Sequence, residues 1–365
     1  MKVSAPREQL LRCVQAVNGV VERRQTMPIL SNVLLVARGN RLSVTGTDLE
    51  VELVASAEVT VNQPGDVTVP GRKLLDILKT LPEKTAVTLT HEGEKVVIKG
   101  GRSRFTLSSL PAPEFPVIDD INGQQVLKIS QGDCRRLIDK TYFAMAQQDV
   151  RYYLNGTLLE TDGKVLRAVA TDGHRLSLCE AKLLSPGTDM QQIIVPRKGV
   201  LELQRLLDGE GEIEITIGTN HIRIVIGDVR FTSKLIDGKF PEYGRVIPPQ
   251  PPRIMKAARD VLRQSLQRTA ILSNEKYRGV RLTFASSLLT VQAHNPEQEE
   301  AEDQVEVEFE GDEVEIGFNV TYLLDALAAI DTENVEVGLT DANSSCLICA
   351  PGDSSVKYVV MPMRL

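Results

Sequence analysis

Apolar residues along this chain recur first at helical and then at strand spacing, and the order of these segments repeats three times. A first helix carries an apolar stripe at Leu10, Val14 and Val17. Similar segments return near residues 133–145 and 259–269, at intervals of roughly 125 residues. In the last of these segments the predicted stripe includes Val261. This recurrence indicates an internal repeat.

Each repeat also contains a second helix that follows a strand. Pro196 precedes one of these helices, and Asn319 is a candidate N-cap for another. Between the helices lie alternating, β-branched segments such as Glu212–Ile217, which are typical of strands. The apolar residues of the second helices lie three or four positions apart, on one face: Leu74, Leu78 and Leu81, then Val200, Leu203 and Leu207, then Leu323, Leu327 and Ile330.

The pattern predicts an α+β fold of three repeated units, each with two helices packed on one face of an antiparallel sheet. A length of 365 residues is compatible with this number, since typical domains have ~150 residues. Polar residues near 119–125 and a proline-rich stretch near 248–252 indicate the joins. The predicted domains are residues 1–124, 125–250 and 251–365.

Charge is divided unevenly along the chain. The net charge of −7 would by itself argue against a nucleic-acid partner. However, residues 297–356 hold 17 of the 49 carboxylates and neither Lys nor Arg, and residues 1–296 carry 40 of the 42 basic groups. A basic body joined to an acidic last third suggests head-to-tail association of copies, which closes into a ring.

Features of membrane and secreted proteins are missing from the sequence. Its apolar runs are far shorter than the ~20 residues that span a bilayer, and the N-terminus lacks a hydrophobic signal region. Five scattered Cys fit a reducing compartment better than a disulfide framework. We therefore expect a cytoplasmic protein without a membrane partner.

Candidate catalytic and metal-binding patterns are sparse. Asp172 and His174 could form a base with its orienter, as in a hydrolase, but the sequence has no Gly-x-Ser-x-Gly nucleophile motif. The pair Cys346 and Cys349 lacks a partner pattern for zinc or redox chemistry. The acidic run 295–303 lacks a calcium-loop pattern, so it is a solvated face or a contact surface. We expect no enzyme, no metal and no cofactor.

Basic residues recur on the helices opposite their apolar stripes. They form either an ordinary solvated face or a shared cationic surface. The chain also ends on an apolar segment, residues 358–365, which is either a final edge strand or an adaptable binding surface rich in Met.

Several segments resemble the β subunits of bacterial DNA polymerase III, the replicative sliding clamps. These segments are residues 42–50, 149–156, 170–176, 195–199, 271–276 and 295–302. The resemblance implies a head-to-tail homodimer in which six units close into a ring around double-stranded DNA. It also implies partners that bind by short peptides: the replicative polymerase, the clamp loader, other DNA polymerases and repair proteins. A non-encircling acidic scaffold and a hydrolase remain the alternatives.

Carried over by position, the resemblance implies three sets of site residues. The DNA-facing set comprises Arg24, Arg72, Gln148, Tyr152, Tyr153, Arg197 and Lys198. The dimer set comprises Lys73, Lys95, Arg102, Arg104, Phe105 and Leu107 facing Ile271, Leu272, Glu297, Glu299, Glu300 and Asp303. The peptide-groove set comprises Leu154, Thr171, Gly173, His174, Arg175, Leu176, Pro241, Arg245, Val246, Tyr322, Ser345, Val359, Val360, Met361, Pro362, Met363 and Arg364.

Two details modify these expectations. In the third repeat, Thr321 and Tyr322 stand where the other second helices carry basic pairs, so DNA contacts there should be weaker. Arg102 and Arg104 are expected on one side of a strand, with Phe105 and Leu107 on its other side.

Overall fold

The computed structural model describes residues 1–21, 27–118, 121, 123, 125–185 and 190–364. These residues include six α-helices, two for each repeat: α1 (Arg7–Val17), α2 (Gly71–Thr80), α3 (Gln131–Asp139), α4 (Arg197–Leu206), α5 (Arg259–Thr269) and α6 (Val320–Ala329). The longest have 11 residues, and within the described ranges none is long and apolar enough to cross a bilayer.

The chain divides into two compact units, and each unit contains two antiparallel sheets. The N-terminal unit comprises residues 1–133, 183–189 and 198–235, and the C-terminal unit comprises residues 134–182, 190–197 and 236–365. The second repeat is therefore shared between the units.

The N-terminal unit has a five-stranded and an eight-stranded sheet. The five-stranded sheet consists of β1 (Lys2–Pro6), β5 (Thr60–Gln63), β7 (Ala86–Glu92), β8 (Lys95–Gly100) and β9 (Ser103–Ser108), in the order β5-β1-β7-β8-β9. The eight-stranded sheet consists of β2 (Asn32–Arg38), β3 (Arg41–Thr47), β4 (Val51–Glu58), β6 (Gly65–Pro70), β10 (Gln125–Ser130), β15 (Glu212–Ile217), β16 (His221–Ile226) and β17 (Val229–Lys234), in the order β10-β15-β16-β17-β4-β3-β2-β6.

The C-terminal unit has a nine-stranded and a four-stranded sheet. The nine-stranded sheet consists of β11 (Gly156–Thr161), β12 (Val165–Thr171), β13 (Arg175–Lys182), β14 (Gln191–Pro196), β18 (Arg253–Ala258), β22 (Glu308–Phe309), β24 (Asn334–Leu339), β25 (Cys346–Cys349) and β26 (Val356–Val360), in the order β14-β11-β12-β13-β26-β25-β24-β18-β22. The four-stranded sheet consists of β19 (Gly279–Ala285), β20 (Leu288–His294), β21 (Glu300–Glu306) and β23 (Val314–Asn319), in the order β21-β20-β19-β23.

Both long sheets continue from one repeat into the next at equivalent strands. In the N-terminal unit β4 pairs with β17, and in the C-terminal unit β13 pairs with β26. In each repeat, three strands follow the first helix and form a meander. In the first and second repeats, the third of these strands pairs with the final strand of the following repeat. The corresponding strands of the third and first repeats are β21 and β9, and both lie at the edge of their sheets.

Helix packing follows the predicted apolar stripes with one exception. Leu10, Val14 and Val17 of α1 are at most 1% exposed, and the Asn319 side chain caps α6 by accepting a hydrogen bond from the N–H of Thr321 at 2.9 Å. The prediction for Val261 was wrong, since this side chain is 51% exposed. It lies one position before Leu262, about 100° around the helix from the buried stripe.

The first helix of the second repeat is shorter than the predicted segment 133–145. It ends at Asp139, and a 3₁₀ turn follows over Tyr142–Ala144. The buried hydroxyl of Thr141 donates to the carbonyl of Leu137 at 2.7 Å and satisfies one of the carbonyls that the helix end leaves open.

Candidate functional site

A cavity of about 210 Å³ with mainly apolar walls lies within the C-terminal unit. A turn, a linker and the last strand of the chain form its walls, together with the 3₁₀ turn at Tyr152–Leu154. The lining residues are Arg151, Tyr153, Leu154, Thr171, Gly173, Arg175, Leu176, Pro241, Glu242, Tyr243, Val246, Val359 and Met361. Apolar walls with a few polar groups are typical of a binding site.

The first wall is the turn between β12 and β13, which its own side chains hold. The Thr171 hydroxyl donates to the carbonyl of Arg175 at 2.6 Å and accepts from the N–H of Gly173 at 3.1 Å. The Asp172 carboxylate accepts from the N–H groups of His174 and Arg175 at 2.9 and 3.1 Å. These bonds fix the turn without help from any ligand.

Glycine is favoured at the centre of this turn. The φ of Gly173 is +90°, in the region that residues other than glycine rarely adopt. A Cβ atom at this position would also lie 3.1 Å from both terminal nitrogens of the Arg151 guanidinium. Because glycine has no side chain, it leaves room for the Arg151 guanidinium beside this wall.

The second wall is the last strand, β26. Val359 pairs with Leu176 across the sheet, and the N–H of Met361 donates to the carbonyl of His174 at 2.9 Å. Both Leu176 and Val359 are almost fully buried, whereas Met361 is 40% exposed. The chain end thus supplies an apolar floor and one flexible, accessible thioether side chain.

The third wall is the linker from Phe240 to Val246. Tyr243 donates its hydroxyl to Glu160 at 2.7 Å, and Glu160 is 5% exposed. Burial raises the pKa of Tyr243, and the hydrogen bond to this carboxylate raises it further. For Glu160, burial raises the pKa, but bonds from Tyr243, Gln192 and Arg167 outweigh it, so the pKa lies below its usual value. An ionised, fully bonded carboxylate therefore holds the linker wall.

Arg151 forms the polar end of the cavity. Its guanidinium binds both oxygens of Asp149, at 3.0 and 2.8 Å, and reaches the carbonyl of Asp172 at 3.3 Å. The hydrogen bonds from Arg151 lower the pKa of Asp149 to about 2. This bidentate pair keeps the arginine in place next to Gly173.

Nine of the predicted groove residues line this cavity: Leu154, Thr171, Gly173, Arg175, Leu176, Pro241, Val246, Val359 and Met361. The remaining predicted residues are outside the lining: His174, Arg245, Tyr322, Ser345, Val360, Pro362, Met363 and Arg364.

Some of these outer residues support the lining residues. The ring of His174 stacks on Tyr322 with centroids 6.4 Å apart, and the Ser345 hydroxyl donates to the carbonyl of Val246 at 3.2 Å. Met363 donates its N–H to the carbonyl of Gly317 at 2.9 Å and so ties down the chain end. Arg245 forms an ion pair with Glu242 at 2.6 Å.

Four residues that line the cavity were not predicted there: Arg151, Glu242, Tyr243 and Tyr153, the last of which was predicted to face DNA. One sequence signal could have located the linker. A Phe-Pro pair occurs at Phe115 and again at Phe240, and both phenylalanines are 5% exposed. The pair thus marks the same anchored linker in two successive repeats.

The hydrolase alternative does not fit the geometry at Asp172. Its carboxylate accepts two backbone N–H groups of its own turn and the side chain of Arg175 at 3.1 Å. The His174 ring lies against Tyr322. The arrangement is that of a capped turn and not of a base with its orienter.

The DNA-facing residues occupy different environments. Gln148 and Tyr152 are exposed, with Tyr152 at 59%, and Tyr153 is half-buried. Arg72 and Arg197 are half-buried, and the guanidinium of each has one buried nitrogen without a hydrogen-bond partner within the described protein. Arg24 lies outside the described residues.

Lys198 differs from the other predicted DNA-facing residues. Its ammonium group forms an ion pair with Asp48, whose side chain is 4% exposed. This ion pair partly neutralises the lysine.

The predicted dimer residues lie at the two edge strands and near them. Arg104 on β9 is exposed while Phe105 is half-buried and Leu107 is 8% exposed, so the predicted alternation is present. The prediction for Arg102 was wrong, since this residue precedes β9 and lies in a turn, not on one side of the strand with Arg104. Lys73 and Lys95 are exposed within the same unit.

On the acidic edge, Ile271 is 76% exposed and Leu272 is half-buried. Glu297, Glu299 and Glu300 are exposed. Asp303 forms an ion pair with Arg268 at 2.5 Å within the chain. Burial acts to raise the pKa of Asp303, but hydrogen bonds from Arg268 and other groups have the larger effect, so the pKa lies below its usual value.

Of the two cysteines on β25, Cys346 is buried in the core and Cys349 is half-buried. Burial raises the pKa of Cys346 to about 12 and also raises the pKa of Cys349. Across the described ranges, His, Cys, Asp and Glu do not form a group of three that could hold a metal ion.

Comparison with known proteins gives a consistent result over the whole chain. The three domain models of the DNA polymerase III beta subunit match it: the N-terminal domain at residues 1–119, the central domain at 128–242 and the C-terminal domain at 244–364. The beta sliding clamp of Pseudomonas aeruginosa is 55% identical, and that of Escherichia coli strain K12 is 50% identical, each over 100% of both chains.

Solved structures match equally well. The crystal structure of the DNA polymerase III subunit beta from Pseudomonas aeruginosa has a TM-score of 0.98 at 54% identity and full coverage of both chains. The structure of a sliding clamp from the same organism bound to griselimycin has a TM-score of 0.97 at 55% identity, again with full coverage of both chains. The expected fold of three repeated α+β units is therefore confirmed.

Proposed function

This chain belongs to the DNA polymerase III beta subunit family, the bacterial sliding clamps, and we propose on that basis how its surfaces perform the clamp function. It is a processivity factor and not an enzyme. As a closed ring around duplex DNA, it tethers the replicative polymerase and other clamp-binding proteins without sequence specificity.

The observation that carries the ring proposal is the repeated strand junction. Within the chain, β4 meets β17 and β13 meets β26, while the equivalent strands β21 and β9 remain at sheet edges. An edge strand presents unpaired backbone groups that favour pairing with another chain. Pairing β21 of one copy with β9 of the next completes the pattern, and two such junctions close a dimer head to tail.

The register of the internal junctions indicates which side chains meet. Thr232 lies opposite Glu52 in one junction, and Val359 lies opposite Leu176 in the other. From the equivalent pairing we infer that Arg104 lies opposite Glu302, with Glu300 on the same face. Ile271 and Leu272 supply apolar contact with Phe105, and Lys73, Lys95 and Arg102 complete the basic side.

The DNA path follows from the helices. Twelve helices around a ring, at an interaxial spacing of ~10 Å, give a circumference of ~120 Å and a hole about 28 Å wide, enough for a duplex with water. Arg72, Arg197, Gln148 and Tyr152 then face phosphates that bind in a salt-dependent, sequence-independent way. Lys198 contributes less, since Asp48 neutralises it.

The cavity beside Thr171–Arg175 serves as the groove for partner peptides. An apolar floor beside the accessible Met361 suits an extended peptide with apolar anchor residues. Partners of this class are the polymerase, the clamp loader and repair proteins. Griselimycin, the ligand of the Pseudomonas aeruginosa clamp structure, provides a second probe of this groove.

We propose that this replication protein acts on the chromosome in the cytoplasm. In its described part, no helix is long and apolar enough to span a membrane. For the domains we retain residues 1–124, 125–250 and 251–365.

Retention on circular DNA tests the ring directly. After loading by the clamp loader and a high-salt wash, wild type should stay on a nicked circular plasmid and leave the same plasmid once it is linearised. The Ile271→Ala, Leu272→Ala variant should sediment as a monomer and fail to stay. Val126→Ala with Val225→Ala, at exposed positions on β10 and β16, is the matched control. Equal retention on both DNA forms, or a dimeric double variant, would contradict the proposal.

A further inference from the structure

Arg175 lines the peptide groove, but most of the groups that hold it come from outside the cavity. Its Nη1 donates to the Asp325 carboxylate at 2.5 Å, and its Nη2 donates to the carbonyl of Phe143 at 2.7 Å. Only the third partner, Asp172 at 3.1 Å from Nε, belongs to the groove turn itself. The side chain is 13% exposed, so this geometry is well shielded from solvent.

Helix α6 supplies Asp325 and, from the same face, a further support for Arg175. The guanidinium carbon of Arg175 lies 4.6 Å from the ring centroid of Tyr322, and Asp325 follows three residues later on the same side of the helix. The aromatic face and the carboxylate together fix both the plane and the direction of the guanidinium group. Neither residue lines the cavity.

The other second helices also carry an acidic residue at this position, Asp76 on α2 and Glu202 on α4. Glu202 of α4 forms an ion pair with Arg205 of its own helix at 3.0 Å. On α6 the residues three and four positions after Asp325 are both alanine, so its carboxylate has no basic partner on its own helix. It pairs with an arginine on another element instead.

We propose that Asp325 is a positioning residue for the peptide groove, which holds Arg175 against the wall so that the groove is formed before a peptide arrives. The proposal rests on the proposed peptide-binding function. Without the Asp325 carboxylate, Arg175 keeps one anionic partner and gains freedom to turn into the cavity. A bound peptide must then restrict this side chain, and it also meets an incompletely neutralised charge beside its apolar anchors.

The test measures the affinity of the full-length dimer for a fluorescein-labelled peptide that copies the C-terminal tail of the replicative polymerase. Asp325→Asn should weaken binding roughly five- to tenfold, because truncating one partner of a shielded charge pair removes its orienting force. Asp325→Glu should restore most of the affinity. Glu333→Gln, an exposed carboxylate just beyond the same helix, is the matched control and should bind like wild type.

A double-mutant cycle separates positioning from general destabilisation. In an Arg175→Ala background, Asp325→Asn should cause no further loss of affinity, since its effect passes through the arginine. An equal loss in both backgrounds, or wild-type affinity for Asp325→Asn alone, would overturn the inference. Failure of wild type itself to bind the peptide would instead reject the groove, and with it this role of Asp325.

Discussion

Two turns of this molecule share one backbone design and differ in what surrounds them. In the N-terminal unit, Thr47 donates to the carbonyl of Val51 at 2.9 Å and accepts from the N–H of Leu49 at 3.1 Å. In the C-terminal unit, Thr171 makes the same two bonds, to Arg175 and from Gly173. Asp48 and Asp172 also cap their turns in the same way.

The strand register beside the two turns is the same as well. Lys234 donates its N–H to the carbonyl of Glu50 at 2.8 Å, just as Met361 donates to His174 at 2.9 Å. The first turn therefore has Lys234 where the second has Met361, and Leu49 where the second has Gly173.

A buried carboxylate accounts for the main difference. Glu52 is 1% exposed and occupies the strand position that corresponds to Leu176 in the second turn. Its carboxylate accepts a hydrogen bond at 2.8 Å from the N–H of Ile118, which belongs to the linker that begins at Phe115. In the second turn, the corresponding strand pair, Leu176 and Val359, is apolar and forms the cavity floor. The repeat therefore fixes the backbone of both turns, while a few side chains decide whether the strand pair beside the turn is polar and bonded to the linker or apolar and open to a cavity.

The largest expected effect comes from exchanging the residues at the centre of the turns. Gly173→Leu should weaken binding of the labelled polymerase peptide at least about tenfold, since a side chain there must adopt φ of +90° and displace Arg151. Fluorescence anisotropy measures the affinity.

The reciprocal variant, Leu49→Gly, is the matched control. It should leave peptide affinity unchanged and alter the free energy of unfolding by less than about 1 kcal/mol, because relief of φ at +78° offsets lost apolar contact. Weaker peptide binding by Leu49→Gly, or unchanged binding by Gly173→Leu, would break the comparison.

An intermediate effect is expected from the two threonines. Thr171→Val and Thr47→Val each remove two hydrogen bonds of a turn and should each lower the free energy of unfolding by about 1–2 kcal/mol. Only Thr171→Val should also weaken peptide binding. Chemical denaturation and anisotropy on the same samples test this, and equal affinity losses in both variants would show that the turns are not specialised.

The smallest effect concerns the pH dependence of stability at Glu52. Burial raises the pKa of this carboxyl, although the N–H of Ile118 and the charges of Arg230 and Arg223 partly offset it. The unfolded chain therefore ionises first, and wild type loses stability relative to Glu52→Gln as pH rises above about 4.5.

Denaturation curves at several pH values between 4 and 7 test this sign. Glu50→Gln, at an exposed position of the same turn, is the matched control. If the stability of wild type relative to Glu52→Gln stayed constant or increased as pH rises from 4 to 7, the assignment would be contradicted.

Local features of the fold could be predicted well from the sequence. Helices α1 and α5 and the N-cap at Asn319 depend on spacing and capping within a few residues. The sequence could not predict that β4 pairs with β17, because pairing between repeats leaves no local pattern. It also led to the wrong orientation for Val261, where a single step around the helix separates exposed from buried positions.

In the candidate site, too, some residues could be identified from the sequence, while others depend on contacts between distant parts of the chain. Resemblance to the family indicated Gly173, Leu176 and Met361, which line the cavity. Tyr243 was missed because its position depends on Glu160, 83 residues away in sequence. The ion pair of Lys198 with Asp48 was missed for the same reason, and it changes how much that lysine offers to DNA.

Processive synthesis is the most direct test of the account. A replicative polymerase extends a primer on a loaded circular template, and the length of product made in one binding event is measured. Wild type should give long products. The chain that lacks residues 361–365 should stay on the circle yet give short products, because the ring is closed but the groove has lost Met361 from its lining. Long products from this truncated chain would contradict the claim that tethering passes through the groove.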